Sequence, residues 1–290
     1  MSAAVKKAAR DVQGADARMT AERDEVKYRV PQVKVREFAA AMVRHLPHHR
    51  FTGEGANPLP RPRNFVTTIY FDTVSRMQYQ AAQADSEHNL KMRAKEYYDL
   101  HPSLAELATD PRQIVKYSPV LWLELKFKDI TKTGKRRIGI PKAQIGGFFD
   151  HGQITPEMVD LQRPLFGAES ELVLRDIALY CAKYGEPFRA DCLVNYRRIS
   201  WQDDEGALRV TLDMGLEFYA PPADLWQRKH ALVRETLGPT CGKVTDGVLE
   251  VKSRDQAPPW LDALVDRCGI VKEKFSKFEM ASEAVHGRTV

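Results

Sequence analysis

Charged and apolar residues alternate with period 2 in six short runs of the chain. These are Glu25-x-Lys27-x-Arg29, Lys91-x-Arg93-x-Lys95, Glu124-x-Lys126-x-Lys128, Lys135-x-Arg137, Arg209-x-Thr211-x-Asp213 and Glu250-x-Lys252-x-Arg254. Side chains of a strand point alternately to its two faces, so each run predicts a strand with one charged face. In the last run Leu249, Val251 and Ser253 occupy the other face. The first of these strands runs over 26–30, closed by Pro31, and a further strand is expected over 65–71, where β-branched and aromatic residues dominate. The run 120–130 is the most strand-like of the chain. Thr131-Lys132-Thr133-Gly134 turns it back into 135–140. A second hairpin is expected over 189–202 and 207–219, turned by Asp203-Asp204-Glu205-Gly206.

Between the strands the period becomes helical. Val35, Phe38, Ala39, Met42, Val43 and Leu46 recur at three- and four-residue spacing, and Pro47 ends that helix. A short helix is expected over 74–84. Helices are also expected within 142–184, where Leu172, Leu174, Ile177, Ala178 and Cys181 form a stripe, and after Pro258-Pro259. Residues 1–20 read as a disordered or fraying helical leader, 47–63 as a loop, and 100–116 as a loop or short helices. There is no solenoid repeat and no evident linker. The chain is therefore expected to form one α+β domain over 21–283, with a tail over 284–290. About eight antiparallel strands would be covered by helices.

Composition narrows the function classes. Of the 290 residues 43% are hydrophobic, enough for a substantial core, and 29% are charged. Lys+Arg 44 against Asp+Glu 39 gives a net charge of +5, too mild to argue a nucleic-acid binder. Aromatic residues are not interleaved with the basic ones as single-strand binding requires. The four cysteines form no CxxC pair and read as reduced thiols of a cytoplasmic protein. No apolar run approaches the ~18 residues of a membrane span. His45, His48 and His49 lack a supporting carboxylate or cysteine and read as loop residues.

A single charged strand face is most simply a solvated one. Here many strands carry charges opposite aromatic and aliphatic residues, and the helical stripes must cover something. If helices cover the apolar faces, the charged faces look inward at one another. Such an interior is stable only if it is wet or filled by a counter-charge. Arg and Lys suit phosphate chains, and interspersed carboxylates with phosphate oxygens suit magnesium or manganese. The chemistry that follows is phosphoryl transfer, which depends on positioning and charge neutralisation. There is no Ser-His-Asp or Cys-His arrangement, Walker loop or GxGxxG.

An ordered set of short motifs over residues 22 to 281 resembles the polyphosphate polymerase (VTC) domain of the triphosphate tunnel metalloenzyme superfamily. The set comprises Glu25-x-Lys27-Tyr28-x-Val30, Thr68-Ile69-Tyr70-Phe71-Asp72-Thr73 with Tyr79, Leu90-Lys91-Met92-Arg93, and Leu123-Glu124-Leu125-Lys126 with Gly134-Lys135-x-Arg137. It continues with Arg189 and Tyr196-Arg197-Arg198, Leu208-Arg209-x-Thr211-Leu212-Asp213, Glu250-x-Lys252 and Lys274-Phe275-Ser276-Lys277-Phe278. The resemblance implies an eight-stranded antiparallel β tunnel or barrel with a charged interior, covered by helices. It implies transfer of the γ-phosphate of ATP to a growing inorganic polyphosphate chain, with Mn2+ or Mg2+. Catalytic phosphate contacts would come from Lys27, Arg93, Lys126, Arg189, Arg197 and Lys252. Further substrate contacts would come from Lys91, Lys135, Arg137, Lys274, Ser276 and Lys277. Glu250 would hold the metal, with Glu124 a second candidate.

Two departures bear on activity. Gln80-Ala81-Ala82-Gln83 follows Tyr79 where the family shows a basic residue, so one phosphate contact is missing. Arg23 stands where the superfamily's hydrolases carry the first Glu of Glu-x-Glu-x-Lys, which counts against a triphosphatase. The rival readings are a metal-dependent tri- or polyphosphatase on the same fold and a non-catalytic polyphosphate- or nucleotide-binding module. No membrane anchor is expected in this chain, which leaves room for a separate membrane partner.

Overall fold

The computed structural model describes residues 24–49, 63–84, 88–98, 118–129, 132–230, 232–254 and 256–287. At strand positions 24, 63–64, 88–89, 97–98, 127–129 and 132–135 it describes the backbone alone. The expected leader over 1–20 and the loop over 100–116 lie outside these residues.

Ten strands form one antiparallel sheet. They are β1 (Asp24–Val30), β2 (Arg63–Thr73), β3 (His88–Tyr98), β4 (Val120–Asp129), β5 (Lys132–Pro141), β6 (Phe188–Gln202), β7 (Leu208–Tyr219), β8 (Gly242–Val244), β9 (Gly247–Ser253) and β10 (Val271–Lys272). The order across the sheet is β10-β1-β9-β7-β6-β2-β3-β4-β5, with β8 beside β7. The expected hairpins are β4–β5 and β6–β7. In the second, Asp203 Oδ2 accepts the Leu208 N–H at 2.9 Å and Gly206 takes a φ of 67°, which glycine adopts without strain. Two short strands, β8 and β10, escape the sequence pattern because each is too brief to show alternation.

The hydrogen-bonded path stays open between β10 and β5, yet the sheet curls until its two halves face each other. Lys126 of β4 and Glu25 of β1 are separated by five intervening strands, but their side chains meet at 3.0 Å. The outer face is apolar and is covered by two groups of helices. Ile69, Phe71, Met92, Ala94, Leu123, Leu125 and Ile138 pack against α3 (Ile145–His151), α4 (Pro156–Phe166) and α5 (Ser170–Ala182). Val30, Trp201, Val210, Leu212, Leu249 and Val251 pack against α1 (Val35–Met42) and α6 (Pro259–Arg267).

The inner face has two parts. At one end Val66, Tyr70, Val194, Tyr196, Leu216, Phe218 and Val248 form an apolar floor under Phe275, Phe278 and Ala281. The last two belong to α7 (Lys277–His286), which runs past the expected boundary at 283 and closes that end. The rest of the inner face carries the charges. A bulge in β7 opposite Asn195 to Arg197 inserts Gly215 at a φ of 59°, so Asp213 and Leu216 both point inward. Asp72 has a structural task. Its carboxylate accepts the N–H groups of Thr73, Gln78 and Tyr79 at 2.8–2.9 Å and so anchors the start of α2 (Met77–Ala84). Tyr79 in turn donates to Glu283 of α7 at 3.0 Å.

Candidate functional site

Strand register sets the inner charges in rows. Lys27 stands opposite Glu250 and Glu25 opposite Lys252, so β1 and β9 present a checkerboard of acids and bases. Arg93 stands opposite Glu124, which stands opposite Arg137. Among the described residues the inner wall brings together Lys27, Lys91, Arg93, Lys95, Lys126, Arg137, Arg198, Lys252 and Lys277. Five carboxylates face them: Glu25, Glu124, Asp213, Glu250 and Glu279. Bases outnumber acids, so the wall as a whole favours an anion.

Ion pairs cross the interior. Arg93 Nε donates to Glu124 at 2.7 Å, and Arg137 reaches the other oxygen at 3.3 Å. Glu25 receives Lys126 at 3.0 Å and Lys27 at 3.4 Å, while Lys252 lies 3.8 Å from it and 2.5 Å from Glu250. Lys27 also donates to the Phe275 carbonyl at 3.1 Å. Lys91 donates to Ser276 Oγ and to Glu279, both at 2.9 Å. Ser276 caps α7 by accepting the Glu279 N–H at 3.3 Å. Fully buried Asp213 takes Arg198 in a two-point grip at 2.6 and 2.7 Å and Lys277 at 2.6 Å. Yet Lys27, Lys126 and Lys252 keep 30%, 26% and 31% of their side-chain surface accessible, so this interior is a wet passage and not a packed core.

The passage shifts protonation in opposed ways. Burial and the nearby Glu250 push Glu25 up, but Lys252, Lys126 and Lys27 outweigh them and hold it ionised, below the usual carboxylate range. Glu250 behaves likewise, with Lys252, Lys27 and Lys126 overcoming burial. Burial lowers Lys91, and it pushes Lys126 down to about 8 against the pull of Glu25. Burial and then Arg93 lower Lys95 well below the ordinary lysine value.

These facts distribute the expected site residues. Lys27, Lys91, Arg93, Lys126, Arg137, Lys252, Ser276 and Lys277 meet along the passage. Lys135 is described by its backbone alone, opposite Lys126. Lys274 is exposed at the rim, near enough to Glu279 to lower its pKa. Three expected residues lie elsewhere or are otherwise engaged. Arg197 is exposed on the outer face, because period 2 from Tyr196 carries Arg198 inward instead. Arg189 is half exposed and pairs with Asp150 of α3. Glu124 is a poor metal ligand here, since Arg93 and Arg137 occupy both of its oxygens. The sequence reading left Glu25, Lys95, Arg198 and Asp213 out of the site. Glu25, Lys95 and Asp213 fall at matching parity within the alternating charged runs, and Arg198 shares parity with the motif residue Tyr196, so parity was the signal that could have found them. The Gln80–Gln83 departure lies beside α7, where Gln83 donates to Glu279 at 3.3 Å.

Glu25 and Glu250 test whether a divalent cation fits. They are ionised neighbours on adjacent strands, and no third His, Cys, Asp or Glu joins them among the described residues. Two carboxylates completed by phosphate oxygens and water are a common donor set for magnesium-like ions, so the residues fit.

Fold and site together define a curled antiparallel β tunnel with a basic interior. The chain belongs to the VTC domain family, whose family model matches residues 22–286, and this places it in polyphosphate and triphosphate metabolism. No curated protein matches the sequence. Among solved structures it is similar to a Hippeastrum protein described as a candidate adenylyl cyclase with a dominant triphosphatase activity. That match has 16% identity over 89% of this chain and 93% of that chain, at a TM-score of 0.44. A candidate adenylate cyclase from Bacillus halodurans matches with 11% identity over 89% of this chain and 98% of that chain, at a TM-score of 0.45. No helix among the described residues is long and apolar enough to cross a membrane.

Proposed function

We propose that the protein transfers the γ-phosphoryl group of ATP to the end of an inorganic polyphosphate chain held in the tunnel. The observation that carries this reading is the cross-tunnel contact of Lys126 with Glu25, set among bases that outnumber the acids. The contact marks an enclosed basic passage of the kind a phosphate chain can thread. In the transfer, a terminal oxygen of the chain attacks the γ-phosphorus, the bond to the β-phosphate oxygen breaks, and ADP leaves with that oxygen.

The protein's part is positioning and neutralisation. Lys27, Arg93, Lys126 and Lys252 hold phosphate oxygens in line, and Lys91 and Lys277 hold the chain where α7 closes the passage. Glu25 and Glu250 hold a divalent cation, Mn2+ or Mg2+, which supplies further charge neutralisation when bound. Lys27, Lys126 and Lys252, which pair with these carboxylates, are the bases that would meet the phosphate oxygens beside the cation.

Incubation with ATP and manganese, followed by a polyphosphate gel, is expected to show long chains. Free phosphate without chains would instead establish hydrolysis. Nucleotide binding without turnover would leave a binding module.

The depressed pKa of Lys126 adds a pH dependence. An entering anion stabilises the ammonium and raises its pKa above about 8, so binding takes up a proton. Tripolyphosphate affinity measured without metal is therefore expected to fall between pH 7 and pH 9, by up to about tenfold per pH unit for one proton. Equal affinity at the two values would contradict this.

A further inference from the structure

We propose that Lys95 and Thr68 form an additional phosphate subsite inside the tunnel, next to the row of Arg93 and Glu124 and outside the set of residues assigned above. The proposal rests on the tunnel being a phosphate site.

The two residues face each other across β3 and β2, on the inner face of both strands. Lys95 differs from the other bases of the passage. Each of those has a carboxylate or carbonyl within ion-pair or hydrogen-bond range, whereas no described group pairs with Lys95. Its nearest charges are Arg93, Arg198 and Lys252, all of its own sign, together with Glu124. Glu124 already has both oxygens engaged by Arg93 and Arg137. Positive charge is therefore least compensated at Lys95.

Thr68 supplies the independent observation. It is 1% exposed, and its Oγ1 is buried without a hydrogen-bond partner. A buried hydroxyl left unpaired costs free energy, and such groups in folded proteins ordinarily find a partner. Ser200 and Thr211, opposite each other on β6 and β7 and also inward by parity, have hydroxyls in the same condition. A lysine without an ion-pair partner beside the unpaired Thr68 hydroxyl is a donor set awaiting an acceptor. A phosphoryl oxygen satisfies it, taking a charge-assisted bond from Lys95 and a neutral one from Thr68. Entry of the anion also favours the charged form of Lys95, which burial disfavours.

Calorimetric titration with sodium tripolyphosphate in the absence of metal tests this on the intact protein. Lys95→Met keeps the stem and removes the charge, and is expected to weaken binding by about tenfold or more. Lys95→Arg is expected to retain most of the affinity, and Thr68→Val to lose a few-fold at roughly constant shape. The melting temperature of the unliganded protein separates binding from structure. Lys95→Met removes like-charge repulsion and is expected to melt at or above the wild-type temperature. Wild-type affinity in Lys95→Met would overturn the subsite while leaving the tunnel reading intact. Weak binding with a lowered melting temperature, unrelieved in Lys95→Arg, would make Lys95 structural and also overturn it. Failure of the wild type to bind tripolyphosphate would overturn the tunnel reading and the subsite together.

Discussion

Replacing Asp213 with alanine is expected to lower stability by about 3–5 kcal/mol, the usual cost of stripping the counter-charge from a buried ion pair. Asp213 has no exposed side-chain surface and binds both Arg198 and Lys277. Its loss leaves two cations facing each other at the inner end of α7, with Tyr196 the nearest stacking partner. In a chain of this length that cost corresponds to a fall in melting temperature on the order of 10 °C. The helix held by Lys277 would loosen first, so limited proteolysis should cut near α7 before the sheet unfolds. The acid side of the stability curve gives the same group a second reading. Burial raises the Asp213 pKa, but Arg198 and Lys277 outweigh it and leave it below the usual value. A depressed acid contributes stability above its unfolded pKa of about 3.9 and loses it as pH falls toward the folded value. Wild-type protein should therefore lose stability below about pH 4, and Asp213→Ala should lose less there. A variant that melts within about 1 kcal/mol of wild type would remove the triad from the account.

The second large effect concerns Glu250. Glu250→Gln keeps the shape and removes one of the two adjacent carboxylates. Manganese affinity and metal-dependent turnover are expected to fall by on the order of a hundredfold, at least as much as loss of an outer partner costs at a metal site. Without metal the sign reverses. Lys252, now 2.5 Å from Glu250, is released to phosphate and one negative charge leaves the passage. Tripolyphosphate should then bind the variant as tightly as wild type or more tightly. A manganese titration of turnover and a calorimetric titration in chelator read the two halves separately. Unchanged metal dependence would show that Glu250 is not a ligand.

The opposed faces of the strands were legible because period 2 is a property of the backbone, independent of context. From Glu25-x-Lys27 to Glu250-x-Lys252, every charged run lies on a described strand. The inward turn of those faces was also legible, since apolar stripes such as that of Ile177 and Cys181 had to cover the other side. The open edge between β10 and β5 was not, because closure depends on side chains meeting across the passage, and no local pattern encodes that. Arg197 and Arg198 show a different limit. Two adjacent arginines satisfy a motif equally well, and only the parity set by Tyr196 assigns the inward one. Asp72 shows a third. A motif residue can serve the fold, here as the anchor of α2, without touching the chemistry. Glu124 was read as a free carboxylate because sequence does not show that two arginines, one on each neighbouring strand, converge on it.

The claim beneath all of this is that the inward charges form a phosphate and metal site. Crystals grown with tripolyphosphate and manganese, with data collected at the manganese absorption edge, test it most directly. The account predicts one anomalous peak between Glu25 and Glu250, with phosphate density running past Lys27, Arg93, Lys126 and Lys252 inside the tunnel. Phosphate and manganese found only on the outer surface, near Arg189 or Arg197, would contradict it.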